Sequence, residues 1–202
     1  MSGAVIDDYL EALARSLSRI EVRDGKGGAV ALAEALDWSI ARLRTLEGGA
    51  NKVLFIGNGG SAGIASHMAI DYQKNGGVPA MAFNDAAALT CLANDLGYEE
   101  VFAKQIEMHG RPGDLLIAIS SSGRSPNIHR SVEVARELGC EVVTLSGFSP
   151  DNPLRRMGRI NYYVPSCDYG LVEISHLAIC HAILDLKMGW RPAEDRASGP
   201  PG

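Results

Sequence analysis

The sequence lacks the features that mark several specialised classes of protein. It has no lysine- or arginine-rich block and a net charge of −5, which argues against a nucleic-acid-binding face. No apolar run approaches the ~20 residues that a membrane-spanning helix needs. The first residues carry acids and lack the basic segment of a signal peptide. We therefore expect neither nucleic acid nor a membrane as a partner.

The four cysteines also lack a functional pattern. Cys91, Cys140, Cys167 and Cys180 show no CxxC spacing. This arrangement is typical of reduced thiols, so we expect a cytoplasmic protein.

What the chain does have is enough length, 202 residues, for one α/β domain with its own core. Two N-terminal segments repeat apolar residues at three- and four-residue spacing, which predicts two helices separated by GKGG at 25–28. The repeating residues are Ile6, Leu10, Leu13, Leu17 and Ile20, then Leu32, Leu36, Ile40 and Leu43. We predict a single domain over 1–189, with this helical pair in 1–50 and an α/β core in 51–189. The tail at 190–202 is rich in Pro and Gly and is predicted to be disordered.

Five short apolar runs follow the helical pair. They are KVLFI at 52–56, PAMAF at 79–83, DLLIAIS at 114–120, EVVTLS at 141–146 and NYYV at 161–164. Helical patterns separate most of them, at 62–72, 101–108 and 128–138, and a long closing helix is predicted at 171–188. Apolar runs that alternate with helices predict a five-stranded parallel sheet with helices on both faces.

The loop after the first run is rich in glycine. GNGGS, from Gly57 to Ser61, lies where a predicted strand ends and a helix begins. Ligands of open parallel sheets bind at such strand ends. Glycines let the backbone approach an anion, and the free N–H groups of a helix start attract it. A phosphate-bearing ligand is therefore predicted here.

The residues alone leave two interpretations of this loop open. Gly57, Gly59 and Ala62 fit the dinucleotide-binding pattern G-x-G-x-x-G/A, and Asp85 follows the second run at about the expected distance. This pattern is short, and the absence of a following GK[ST] excludes a Walker A loop. The second interpretation, a sugar-phosphate site, depends on another loop.

That second loop is ISSSGRSPN at 119–127, between the third run and a helical pattern. Its four serines surround Gly123, and they are Ser120, Ser121, Ser122 and Ser125. Clustered hydroxyls and N–H groups at a helix start suit a phosphate monoester, although an ordinary serine-rich turn with an N-cap would look similar. A dinucleotide enzyme has no need of this loop, whereas a sugar-phosphate site does.

Two pairs of polar residues could carry chemistry. His67 and Asp71 are four residues apart in the helical pattern after GNGGS, so they share one face. On spacing alone, an ordinary surface pair is the simpler interpretation. Glu173 and His181 are eight apart in the closing helix, ~12 Å along its axis. Only long side chains that lean together could meet one ligand.

The motifs give the sequence a family resemblance. GNGGS at 57–61, AND at 93–95, GDLLIAISSSGRSPN at 113–127 and VVTLSG at 142–147 resemble the sugar isomerase (SIS) domain family, and within it the phosphoheptose isomerases. The resemblance implies a flavodoxin-like SIS fold and a homotetramer with sites at subunit contacts. It also implies an aldose–ketose isomerase that converts sedoheptulose 7-phosphate to D-glycero-D-manno-heptose 7-phosphate.

The resemblance further implies a zinc site beside the substrate. Phosphoheptose isomerases carry His and Glu four apart on the first helix, and Gln and His eight apart on the last. Here His67 and His181 match, whereas Asp71 replaces the Glu and Glu173 replaces the Gln. We expect one Zn²⁺ per subunit held by these four residues, with Asp71 as the base and His181 as the acid. Because Asp is one methylene shorter, the base is expected about 1 Å or more from its usual place.

The substrate contacts are implied in the same way. Asn58, Gly59 and Ser61 match the loop that contacts the sugar, and the four serines match the phosphate loop. Asp95 matches a position near the sugar, and Glu173 is expected to reach the substrate as well as the metal.

Some members of the family are not enzymes. Some bind a replication initiator protein and have lost the catalytic carboxylate and histidine, and others sense sugar phosphates within regulators. Here all four positions carry residues able to bind a metal, and no DNA-binding motif accompanies the domain. We therefore expect an isomerase, with a non-catalytic SIS binding module as the alternative.

Overall fold

A computed structural model of the chain describes residues 3–192. Apart from 190–192, the predicted disordered tail lies outside the described residues. Within the described range, the chain forms one sheet with helices on both of its faces.

The sheet contains seven strands in the order β2-β1-β7-β6-β5-β3-β4. Its strands are β1 Glu21–Asp24, β2 Ala29–Val30, β3 Val53–Gly57, β4 Ala80–Ala82, β5 Leu115–Ser120, β6 Glu141–Ser146 and β7 Ile160–Tyr163. The last five correspond to the five apolar runs, and they run parallel to their neighbours among those five.

The prediction of a purely parallel, five-stranded sheet is wrong at one edge, because β1 pairs antiparallel with both β7 and β2. The GKGG separator is in fact the turn of this hairpin. Asp24 Oδ1 accepts the N–H groups of Lys26 and Gly28, at 2.9 and 2.8 Å, and Gly27 has a φ of 86°. The sequence signal is weak because β1 is short and largely charged, and only Val22 in it is buried.

Seven α-helices surround the sheet in the part of the chain that the structure describes. They are α1 Gly3–Ser18, α2 Leu32–Leu46, α3 Gly60–Lys74, α4 Ala86–Leu96, α5 Ala103–His109, α6 Pro126–Glu137 and α7 Tyr169–Lys187. Each predicted helix is confirmed, including the N-terminal pair. Helix α4 is missing from the sequence prediction, because it has no fully buried face. Asp85, the acid of the dinucleotide interpretation, caps α4 by accepting the Ala88 N–H at 2.9 Å.

The sheet separates two apolar clusters. Val53 and Phe55 of β3 face the cluster that α2, α3 and α7 complete, and Leu54 and Ile56 face the cluster with α5 and α6. Successive side chains of a strand point to opposite faces. Because both faces of the sheet are covered, every residue of β3 before Gly57 is apolar.

Helix α7 is the long closing helix, and it is apolar over most of its length. It has 19 residues and a mean hydropathy of 1.3, so length and composition alone would let it span a membrane. It packs against α1, α2 and α3, and its buried residues join the core cluster on that face of the sheet. Its apolar character therefore serves the packing of the domain.

Candidate active site

The loop between β3 and α3 forms one wall of the candidate site. A Cβ at Gly57 would lie 2.6 Å from Ser61 O, so the turn accepts only glycine there without moving. Gly59 has a φ of 55°, in the left-handed region. The tight turn buries Ser61 and leaves Asn58 half-buried at the carboxyl end of the strand.

The serine loop between β5 and α6 forms the facing wall. Strands β3 and β5 are hydrogen-bonded neighbours, with Gly57 opposite Ile119, so the loops that follow them lie side by side. A cavity of about 110 Å³, hereafter the serine cavity, lies between the two loops. Its polar lining consists of Asn58, Ser61, Ser120, Ser121, Ser122, Ser125, Tyr169 and Glu173. The structure therefore brings most of the predicted substrate-binding residues together, while Gly59 shapes the turn beside them.

Paired side-chain amides join the two loops. Asn58 and Asn127 each donate to the other's Oδ1, both at 2.9 Å, and Tyr98 Oη donates to Asn58 Oδ1 at 3.1 Å. Asn127 and Tyr98 are not among the predicted site residues. The available signal was the place of Asn127 at the end of the serine motif. These bonds fix the separation of the two walls.

The serine loop carries polar groups that the protein itself leaves unsatisfied. Ser121 Oγ is buried without a hydrogen-bond partner among the described residues, and such a group costs free energy unless a ligand or water satisfies it. Gly123, with a φ of 61°, shapes the tip of the loop, and a Cβ there would collide with Asn152 Oδ1. Together with the N–H groups at the start of α6, these hydroxyls can hold an anion.

His67, Asp71 and His181 form a separate cluster, hereafter the His–Asp–His cluster. Their ligand atoms all lie within 4.8 Å of one another, and His67 Nε2 is 3.2 Å from Asp71 Oδ2. The two imidazole centroids are 5.4 Å apart. The side chain of His67 is 54% exposed and that of Asp71 is 22% exposed, so a ligand can reach the cluster. Two imidazoles and a carboxylate are ordinary Zn²⁺ donors, and the residues present therefore fit this metal.

Two helices build this cluster. His67 and Asp71 lie one turn apart on α3, and α7 packs against α3 and brings His181 to them. Asn75, at the end of α3, donates from Nδ2 to Asp71 Oδ1 at 3.3 Å. One carboxylate oxygen of Asp71 thus contacts Asn75, and the other faces His67.

Glu173 lies on the side of the serine cavity. Its carboxylate is packed so closely over Gly60, at the start of α3, that a Cβ there would collide with it. It lines the cavity and is not part of the group of three close ligand atoms. The structure therefore brings three of the four predicted metal ligands together and leaves Glu173 among the predicted substrate contacts.

Asp95 does not line the serine cavity. It lies exposed near the end of α4, where Asn94 Nδ2 donates to its Oδ1 at 2.8 Å. From this part of the chain, it is Tyr98 that reaches the cavity lining, through its hydrogen bond to Asn58.

Comparison with known proteins identifies the family to which this fold belongs. The family profile described as "SIS domain" matches residues 8–147, more than half of the chain. The chain belongs to the SIS domain family.

This SIS domain is similar to phosphoheptose isomerases from several bacteria. It is 40% identical over 182 residues to the one from Bradyrhizobium sp. strain ORS 278, which covers 86% of this chain and 88% of that protein. It is 34% identical over 187 residues to the one from Rhodospirillum rubrum, covering 90% and 96%. The solved structure of phosphoheptose isomerase GmhA from Neisseria gonorrhoeae matches with a TM-score of 0.78 at 28% identity, covering 91% of this chain and 98% of that one. These relatives confirm the expectation of an isomerase.

His176 has a different position in the SIS domain from the two histidines of the cluster. It is fully buried on α7, with Nε2 3.1 Å from Ser146 O, and its Nδ1 has no partner within the described residues. Burial lowers the pKa of its imidazole to about 4, because the charged form loses its hydration. The ring is therefore neutral near pH 7, and His176 contributes to the packing of the core.

Proposed function

We propose that this SIS domain is a sugar-phosphate isomerase that converts sedoheptulose 7-phosphate to D-glycero-D-manno-heptose 7-phosphate. The observation that carries the proposal is the combination of a serine-lined cavity with a His–Asp–His cluster on the helices around it. The names of the similar phosphoheptose isomerases support this choice of substrate. A dinucleotide site would need neither the serine loop nor the cluster.

The proposed substrate orientation places the phosphate in the serine cavity. Ser121 Oγ lacks a partner there, and phosphate oxygens would satisfy it together with the start of α6. His67 follows Ser61 by six residues on α3, which corresponds to ~9 Å along the helix axis. A long sugar phosphate suits this separation, because its reacting C1 and C2 lie at the end opposite the phosphate.

Asp71 and His181 would move the protons. Aldose–ketose isomerisation transfers a proton between C1 and C2, so it needs a base for carbon and an acid for oxygen. Asp71 is proposed as the base, and Asn75 donates to its second oxygen. His181 is proposed as the acid. Asn58, held by Asn127 and Tyr98, would contact the sugar hydroxyls, and Asp95 is placed outside this set.

Zn²⁺ is the proposed cofactor, one per subunit. His67, Asp71 and His181 would hold it, with Glu173 as the candidate fourth ligand from the cavity side. When bound, it would act as a Lewis acid on the developing negative charge. The donor types are the observation that supports it.

The proposal also includes the assembly and the compartment. Apolar side chains on α1, namely Val5, Ile6, Tyr9 and Leu10, are exposed, and an exposed apolar stripe favours burial against another subunit. This supports self-association, as expected for a homotetramer. The four cysteines are free thiols, which supports a reducing, cytoplasmic location.

The test is an isomerase assay on sedoheptulose 7-phosphate with purified protein, with and without added zinc, beside the variant Asp71→Asn. The amide keeps the shape of the carboxylate but cannot accept the proton, so turnover should fall by about 10²–10⁴-fold. Asp37→Asn, an exposed acid on α2, is the matched control and should keep full activity.

Two results would overturn this proposal in different ways. Zinc binding and thermal protection by sugar phosphates without turnover would point to another ketose phosphate. Absence of both turnover and zinc binding would favour the non-catalytic SIS binding module.

A further inference from the structure

A second cavity lies at the end of the sheet opposite the serine cavity. It has a volume of about 690 Å³, within the range of small-molecule sites. The hairpin turn, the start of β6 and the segment before β7 form its walls. We call it the hairpin cleft.

The walls of the hairpin cleft are closely packed. The turn of the β1–β2 hairpin touches the segment before β7, where a Cβ at Gly25 would lie 2.8 Å from Gly158 O. The carboxylate of Asp24 accepts two backbone N–H groups within the turn. The hairpin therefore holds one wall in place through its own hydrogen bonds and through its pairing with β7.

Four cationic side chains line the cleft: Lys26, Arg136, Arg156 and Arg159. Among the described residues, none of these four side-chain cations makes a hydrogen bond or an ion pair. Arg159 lies over the ring of Trp38, 5.1 Å from its centroid, which is a cation–π contact. Unpaired guanidinium groups around a cavity are suited to bidentate contact with phosphate oxygens.

Three acidic side chains line the same cleft as the four cations. Asp24, Glu34 and Glu141 belong to the lining, yet among the described residues none of them forms an ion pair with the four cations. The cleft therefore presents donors for an anion and carboxylate acceptors for hydroxyl groups. A compound that carries both an anionic group and free hydroxyls would satisfy both sets.

We propose that the hairpin cleft is a second ligand site, for a phosphate ester that carries free hydroxyl groups. Arg136 and Arg156 hold the phosphate, Glu34 and Glu141 accept from the hydroxyls, and Trp38 lies beside the bound molecule. A nucleotide and a simple sugar phosphate share this chemistry. The inference is independent of the proposed isomerase reaction, because it uses none of the residues of the serine cavity or of the His–Asp–His cluster.

Trp38 gives the experiment a local readout. The chain has two tryptophans, so Trp190→Phe leaves Trp38 as the sole indole. In that background, Trp38 fluorescence is followed during titration with ADP, with ribose 5-phosphate and with adenosine. We expect a saturable change with at least one of the two phosphates and none with adenosine, which lacks the anion.

The matched variants test the arginines. The double variant Arg136→Gln/Arg156→Gln should weaken binding of the responding phosphate about tenfold or more, because hydrogen bonds to charged groups are lost. Arg44→Gln, an exposed arginine on α2 outside the cleft, should bind as the parent does. Added salt should also weaken binding in the parent protein, which keeps a test available if the double variant fails to fold.

Each outcome decides the proposal. Binding of ADP alone identifies a nucleotide site, and equal binding of ribose 5-phosphate identifies a sugar-phosphate site. The proposal fails if neither phosphate gives a saturable change, if adenosine binds as well as ADP, or if the double variant and Arg44→Gln bind equally. Isomerase turnover of the double variant should remain unchanged, so a failure here is distinct from a failure of the proposed function.

Discussion

The serine cavity and the His–Asp–His cluster are built on different principles. Hydrogen-bonded neighbouring strands place the two loops of the cavity, and Ser61, Ser120 and Ser121 in it are buried. The cluster is mounted on two helices, and its members are half-buried or exposed. Ladder hydrogen bonds fix the register of neighbouring strands, whereas exposed side chains on helices are free to change rotamer. The cavity is therefore the preformed part of the site, and the cluster is the part that a metal or substrate would complete.

The largest expected effect comes from a variant that alters the His–Asp–His cluster but not the serine cavity. His181→Ala removes a cluster residue and leaves the cavity intact, so turnover should fall by about 10²–10⁴-fold and the proposed binding of zinc should be lost. Sugar-phosphate binding, measured by thermal shift, should persist. His109→Ala, on α5, is the control with unchanged zinc content and turnover. If His181→Ala keeps its turnover, the cluster has no catalytic part.

A second pair of variants tests how rigid the cavity loops are. Gly59 and Gly123 both have positive φ values, 55° and 61°, and Gly59 has a ψ of −123°, so alanine should cost each loop at least about 1–2 kcal/mol of backbone strain. At Gly123 the new Cβ would also collide with Asn152, whereas at Gly59 no atom lies within 4 Å. Gly123→Ala should therefore lower the free energy of unfolding by about 1–3 kcal/mol more than Gly59→Ala.

Urea unfolding of the two alanine variants measures this difference directly. Equal losses would mean that the serine loop moves to accept the methyl group. The cavity would then be no more preformed than the cluster.

The pH dependence of stability distinguishes the buried His176 from His181, the histidine of α7 that belongs to the His–Asp–His cluster. The pKa of His176 is lowered to about 4 in the folded protein, below the usual value near 6.5. Between these values the unfolded chain binds a proton that the folded protein does not bind. The neutral His176 should therefore make its full contribution to the free energy of unfolding above about pH 6.5. As the pH is lowered, the free energy of unfolding should fall, by roughly 3 kcal/mol near pH 4.

Denaturant unfolding between pH 7.5 and pH 4 would measure this loss. A His176→Gln variant, which cannot gain the proton, should show a shallower pH slope. Identical slopes in the two proteins would assign the loss to other groups.

The smallest expected effect concerns a single hydroxyl of the cavity. Ser121 Oγ makes no hydrogen bond within the described protein, so Ser121→Ala should leave the free energy of unfolding unchanged or slightly higher. Substrate KM should rise about tenfold with kcat kept, because the proposed contact to the phosphate is lost. Ser39→Ala breaks a buried bond to Tyr162 and should do the reverse, lowering stability without changing KM.

Some elements of this architecture could be predicted from the sequence, and others could not. The five parallel strands and the two loops follow from local signals, namely uniform apolar runs and glycines that tight turns require. The β1–β2 hairpin was not predicted, because the residues of β1 are mostly charged and only Val22 among them is buried. The hydrogen-bonded pair Asn58–Asn127 was not predicted, because the two residues are 69 positions apart in the sequence. No local sequence pattern indicates such a contact.

The sequence by itself determined the α/β fold class, the two loops of the candidate site, the SIS family and the candidate residues. Tertiary structure alone decided which of those residues meet. Packing of α7 on α3 joins His181 to His67 and Asp71, while the close approach of Glu173 to Gly60 places that carboxylate at the cavity. The physical reason is range: a turn or a strand is specified by neighbouring residues, whereas a site shared by two helices depends on how the whole core packs.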